Sequence, residues 1–136
     1  YLQLHQQHFT TAKSLIVGDL NSNACWDVWD RWWNHSDVVK QLADAGLSSL
    51  YHQLSGEDQG NESSATFFMQ RKLEKPYHID YIFLSQALLQ AATLKVGQPQ
   101  QWLQHSDHMP LIATFGCTAT APENHPNSNP TQTQGR

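Results

Sequence analysis

Every Leu, Ile, Val, Met and aromatic residue of this chain precedes residue 118. The stretch 118–136 is rich in Thr, Asn and Gln and is broken by Pro122, Pro126 and Pro130. So little apolar surface cannot offset the entropy of ordering it, so residues 118–136 read as a disordered tail. Any core must therefore be built from residues 1–117, the length of a single domain. Five Trp, five Phe and four Tyr within a hydrophobic fraction of 39% supply that core. No apolar run approaches the roughly 20 residues that span a bilayer. Tyr1 stands where a Met would open an intact chain, which reads as a fragment or a processed or trimmed product, with no leader in view.

Ahead of the tail the pattern is one of short elements without an internal repeat. Residues 1–11 read as the end of a helix. Residues 14–18 are an apolar run closed by Gly18, which predicts a buried strand. Trp26, Trp29 and Trp33 recur at helical spacing and predict a short helix. At least two of Trp26, Trp29, Trp32 and Trp33 are expected to be buried beneath it. A second helix, capped at Ser36 or Asp37, runs through Val38, Val39, Leu42 and Ala45 to a left-handed stop at Gly46. Residues 55–64 are polar and predict a surface loop. Strands are expected over 65–69, 77–84, 94–96 and 111–115. This is an α/β pattern in which strands dominate the second half.

The charge balance is 8 Lys+Arg against 12 Asp+Glu, a net −4 with the 8 His neutral. It argues against a surface that holds nucleic acid by charge alone. It leaves room for an enzyme whose carboxylates hold a metal ion and act on a phosphate ester. Cys25 and Cys117 are too few for a disulfide framework and are not spaced as a metal or redox pair, although one bridge between them remains open. The histidines are scattered, which argues against a His-rich transition-metal site.

Three segments place reactive side chains at strand ends. In Gly18-Asp19-Leu20-Asn21 the glycine lets the chain turn, and Asp19 and Asn21 then project from the strand's carboxyl end. A carboxylate there can orient or activate water, and an amide can donate to a phosphoryl oxygen. The same residues also suit an Asx turn. In residues 78–83 (His-Ile-Asp-Tyr-Ile-Phe), strand alternation puts His78 and Asp80 on one face. A carboxylate in so apolar a run needs a partner, either an imidazole or backbone and Arg donors. In Ser106-Asp107-His108-Met109-Pro110 a hard oxygen and an imidazole stand side by side, suited to a divalent cation and a phosphate oxygen. A plain polar loop before the last strand is the alternative.

In this order, GD-x-N, then I-D-Y, then S-D-H, the chain resembles the endonuclease/exonuclease/phosphatase superfamily, the DNase I-like metallo-phosphoesterases. The resemblance spans residues 1 to about 117. It implies part of a four-layer α/β sandwich, with a mixed, mostly antiparallel sheet and flanking helices. It further implies in-line hydrolysis of a phosphodiester or phosphomonoester. Asp19 would orient or deprotonate the attacking water, and Asn21 would stabilise the pentacovalent transition state. His108 would bind the scissile phosphate with Asp80 as its hydrogen-bonded partner, and Asp107 would help hold the metal. The implied ligand set is Asp19, Asn21 and Asp107, and the implied cofactor is Mg²⁺ or Mn²⁺. Beside this set, Asn23, Trp26 and His78 are candidate substrate contacts, with the tryptophans able to stack on a base or sugar. Lys75 could meet a phosphate or simply be solvated.

The chain departs from the family in one respect. The family's first half supplies an Asn and the principal metal-ligand Glu, yet no acidic residue precedes Gly18 here. The chain therefore reads as the C-terminal portion of such a domain, whose full protein carries the missing N-terminal half. The expected partner is a phosphoester substrate, with nucleic acid among the classes and no membrane span. The alternative is a non-catalytic remnant that keeps the fold as an interaction module.

Overall fold

The structure, a computed structural model, describes residues 2, 4–9 and 13–116. The tail expected over 118–136 and Cys117 lie outside the described residues. In chain order the elements are α1 (Gln6–Phe9), β1 (Leu15–Asp19), a 3-10 turn (Ala24–Trp26), α2 (His35–Asp44), β2 (Leu47–Ser49) and α3 (Leu50–Ser55). There follow β3 (Phe67–Phe68), β4 (Pro76–Tyr77), β5 (Asp80–Ser85), α4 (Gln86–Leu89), β6 (Ala92–Val96), α5 (Pro99–Trp102) and β7 (Leu111–Phe115).

The most apolar strand, β5, is the centre of the molecule. A strand covered on both faces reads as a continuous apolar run, and Tyr81 to Ser85 are all buried. β1 and β2 flank it in the order β1-β5-β2, both antiparallel. On one face Tyr81 and Phe83 pack with Leu42 of α2 and Leu47 of β2. On the other, Ile82 and Leu84 pack with Leu50 of α3 and Ala92 of β6, and the β6–β7 pair leans Leu94, Leu111 and Ala113 against them. All ladders among the described residues are antiparallel. The result is the expected α/β fold, an open and largely antiparallel sheet system flanked by helices. No helix among the described residues is long and apolar enough to cross a membrane.

Several expectations change. The strand over 14–18 is covered on one face only: Ile16 meets the core, whereas Leu15 and Val17 are 51% and 57% exposed. The tryptophan helix reduces to a single 3-10 turn, and none of Trp26, Trp29, Trp32 and Trp33 is buried. Local side-chain bonds outcompete helix here. Asp27 accepts the backbone N–H of His35 and Ser36, while the Asn34 amide accepts from Val28 N and donates to the carbonyls of Val28 and Arg31. α2 accordingly starts at His35, with Asn34 at its N-cap and Asp37 accepting the Asn34 N–H at 2.9 Å. It ends where expected, with Gly46 at φ +80°. The strand expected over 77–84 is split between β4 and β5, and β7 occupies the expected 111–115.

Candidate functional site

The break between β4 and β5 builds the site. Thr66, fully buried, accepts the N–H of both Ile79 and Asp80 on its Oγ1, each at 3.0 Å. Its carbonyl accepts Met109 N–H at 2.7 Å, and two residues on Phe68 N donates to the Asp107 carbonyl at 2.8 Å. Residues 66–68 thus clamp the start of β5 to the segment that carries His108. Replacing Thr66 by Val keeps the shape but takes the acceptor from two N–H groups, the buried one of Ile79 and the part-buried one of Asp80. The expected cost is about 1–3 kcal/mol, read as a lowered urea midpoint that Thr66→Ser largely restores.

Asp80 then opens β5 directly opposite Asp19, the last residue of β1. His108 Nδ1 lies 3.0 and 3.1 Å from the two Asp80 carboxylate oxygens. Donation of Nδ1–H to that carboxylate fixes the ring and leaves Nε2 as its outward-working nitrogen. The donor atoms of Asp19, Asp80 and His108 all lie within 4.8 Å of one another. Two carboxylates facing each other across a ladder repel. A divalent cation would remove that repulsion, and their hard oxygens suit a hard cation. Asn21 sits beside them at φ +49°, and its N–H donates to Asp19 Oδ1 at 2.6 Å. The Asx turn and the convergent carboxylate are therefore both present. Asp107 adjoins His108 but lies outside this convergent group among the described residues.

Asn23 and His78 are placed in the interior. Asn23 is 3% exposed, with Nδ2 2.9 Å from the His78 carbonyl, 3.0 Å from Glu62 Oε2 and 3.1 Å from the Tyr81 hydroxyl. His78 does not share a face with Asp80, because the two lie on either side of the strand break. Its Nδ1 donates to the Ser64 carbonyl at 2.8 Å, and its ring packs against Tyr51, His52 and Tyr81. Burial holds the His78 and His35 imidazoles below their ordinary value, so both are neutral there. Trp26 alone of the three substrate candidates is exposed, against Tyr77 at 5.2 Å.

Glu62 carries no signal in the sequence, since it lies in the polar stretch read as a surface loop. Its side chain is 4% exposed and accepts from His52 Nε2 at 3.1 Å, Gly60 N at 3.0 Å and Asn23 Nδ2. Burial alone would raise its pKa, but these donors prevail and hold it at about 2. Burial and the nearby Glu62 push Cys25 up, which keeps it a thiol and a poor nucleophile.

No protein-family model matches the sequence, and no curated protein matches it. Similar solved structures include two of NExo. One is a 3′ phosphatase, NExo, from Neisseria bound to product DNA hairpin, with TM-score 0.62 and 23% identity over 84% of this chain and 49% of that one. The other is a 3′–5′ exonuclease (NExo) from Neisseria meningitidis, with TM-score 0.61 and 24% identity over 83% of this chain and 49% of that one. The chain spans about half the length of either. At these identities the likeness establishes the fold, an α/β architecture of the DNase I-like sandwich type.

Proposed function

We propose that this chain carries the C-terminal part of the active site of a divalent-metal-dependent phosphoesterase. The observation behind this reading is the contact of Asp80 with His108, three residues before β7, with Asp19 converging on the same point. Asp19 orients the attacking water, Asn21 donates to the phosphoryl oxygens, and His108, held by Asp80, binds the scissile phosphate. Asp19 of the convergent group is the residue we assign first to the cation, with Asn21 beside it and with Asp107, which lies outside that group. When bound, the cation polarises the phosphoryl group and offsets its charge. The substrate class is a phosphodiester or phosphomonoester.

The other half of the sandwich is assigned to a separate segment of the full protein. The open sheet face supports this: Leu15 and Val17 are exposed, and beside them runs a cleft of about 390 Å³ lined by Asp80, Ile82, Met109 and Leu111, among others. The same face supports the second reading, a non-catalytic module of this fold.

Hydrolysis of bis(p-nitrophenyl) phosphate with and without Mg²⁺ tests the choice. The expected result is metal-dependent turnover that chelation removes. Asp19→Ala should weaken it by about ten- to hundredfold, at least the loss seen for partners that only support a metal ligand. Turnover indifferent to metal, or to Asp19→Ala, would refute the catalytic reading. No turnover by either form would favour the non-catalytic module for this chain.

A further inference from the structure

The proposed phosphoester chemistry makes no use of the tryptophans after β1. Trp29 is 95% exposed, Trp32 83%, Trp33 60% and Trp26 42%. Exposed apolar side chains are usually scattered singly, and a cluster of this kind marks a contact surface. These rings are also held out by a stitched backbone. Asp27 and Asn34 tie the two ends of the loop together, Trp32 sets its edge against Trp33 at 4.9 Å, and the Arg31 guanidinium lies 5.8 Å above the Trp33 ring. Preorganisation lowers the entropic cost of binding.

The loop is continuous with the candidate site. Trp26 lies 5.2 Å from Tyr77, Tyr77 stacks on Phe67 at 6.4 Å, and Phe67 lies 4.7 Å from His108, all between ring centroids. Tyr77, Phe67 and His108 are half-buried, so an aromatic strip runs along the surface from the loop to the end of the site assigned to phosphate. The turn between β3 and β4, which carry Phe67 and Tyr77, holds Arg71, Lys72 and Lys75, three of the chain's eight Lys+Arg. All three are exposed, and Arg71 is steadied by the carbonyls of Gln104 and His105. With Glu74 among them the turn keeps a net charge of +2, so an acidic chain gathers positive charge beside its aromatic strip.

We propose that the Trp26–Tyr77–Phe67 strip and the loop carrying Trp29, Trp32 and Trp33 form a stacking site for the unpaired bases of a single-stranded nucleic acid. The strand's phosphates follow Arg71, Lys72 and Lys75 toward Asp80 and His108. The direction of this path rests on the phosphoesterase reading. Stacking suits any base, because each presents a π-face, and it needs no excess of positive charge over the whole chain. Bound bases explain rings and cations together. A neutral sugar has no use for the cations, and neither has the surface of a zwitterionic membrane.

The test is titration of the chain, in EDTA, with (dT)12 and with a 12-unit abasic strand of equal charge, followed by tryptophan fluorescence. The expected result is quenching by (dT)12 and binding about tenfold or more tighter than that of the abasic strand. Trp29→Ala and Trp32→Ala should each weaken (dT)12 by about tenfold, and both alter solvent-exposed rings, so the core is untouched. Three phosphate contacts should give a slope of log K against log salt of about −2. Equal binding of the abasic strand, unchanged binding by both variants, or binding of phosphatidylcholine vesicles in place of (dT)12 would overturn the proposal. Hydrolysis of bis(p-nitrophenyl) phosphate, which has no base, is measured on the same protein preparations with Mg²⁺ in place of EDTA. Hydrolysis without base-dependent binding removes the stacking site alone, whereas base-dependent binding without hydrolysis upholds it and removes only the catalytic reading.

Discussion

His108→Ala is expected to lower metal-dependent phosphodiester hydrolysis by about 10²–10³-fold, the usual loss when one preorganised donor to a developing oxyanion is removed. The ring is one-third exposed and sits outside both core clusters, so the circular dichroism spectrum should be unchanged. Asp80→Asn should cost nearly as much. An amide can present its NH₂ to His108 Nδ1 and so favour the wrong tautomer. Because Asp80 acts through His108, the double variant should be little worse than either single one. Effects that multiply in full would mean that the two residues act separately, and the contact at 3.0 Å would then have no part in the chemistry.

The largest expected effect on stability lies elsewhere. Glu62→Ala leaves His52 Nε2–H and Gly60 N–H without their acceptor in the interior, while Asn23 keeps the His78 carbonyl and the Tyr81 hydroxyl. Leaving buried donors without their acceptor costs about 1–3 kcal/mol, more where the acceptor was charged, and a carboxyl held at about 2 in place of 4.5 corresponds to about 3 kcal/mol. The two figures agree. The pH dependence follows from the same shift. Glu62 binds its proton more weakly folded than unfolded, so its contribution is complete above pH 4.5 and is lost as pH falls toward 2. His35 and His78 add to the acid loss from below about 6.5, since the unfolded chain protonates them first. Urea denaturation from pH 7 to 2.5 should show the Glu62→Ala chain to be weaker at neutral pH and flatter below 4.5. An unchanged midpoint at pH 7 would show that the cluster is not a keystone of the fold.

What the sequence made legible follows periodicity and motif. β7 and the end of α2 at Gly46 were readable because alternation and a left-handed glycine are local signals. Asp19, Asp80 and His108 were readable from the order of three short motifs, although they lie far apart along the chain. The tryptophan loop misled because spacing of three or four is compatible with a helix, whereas Asp27 and Asn34 turn their side chains onto the backbone and hold it open. His78 misled for a related reason: alternation assumes an unbroken strand, and Thr66 breaks this one by taking the N–H groups of Ile79 and Asp80. Glu62 had no local signature, because its partners come from α3, from the loop after β1 and from its own turn. A buried carboxylate in a polar stretch becomes visible only when the fold brings its donors to it.

The place of β1 at the margin of its sheet has a further consequence. Among the described residues its outer backbone groups have no neighbouring strand, and Leu15 and Val17 beside them face solvent. A bare, apolar margin of this kind is a template for unwanted pairing between molecules. Here it is only five residues long and closes on the charge of Asp19. A carboxylate at a strand end is one of the devices by which proteins keep such margins from zipping together. Asp19 is therefore placed to serve colloidal stability as well as the chemistry proposed for it, and a neutral residue there would remove both at once.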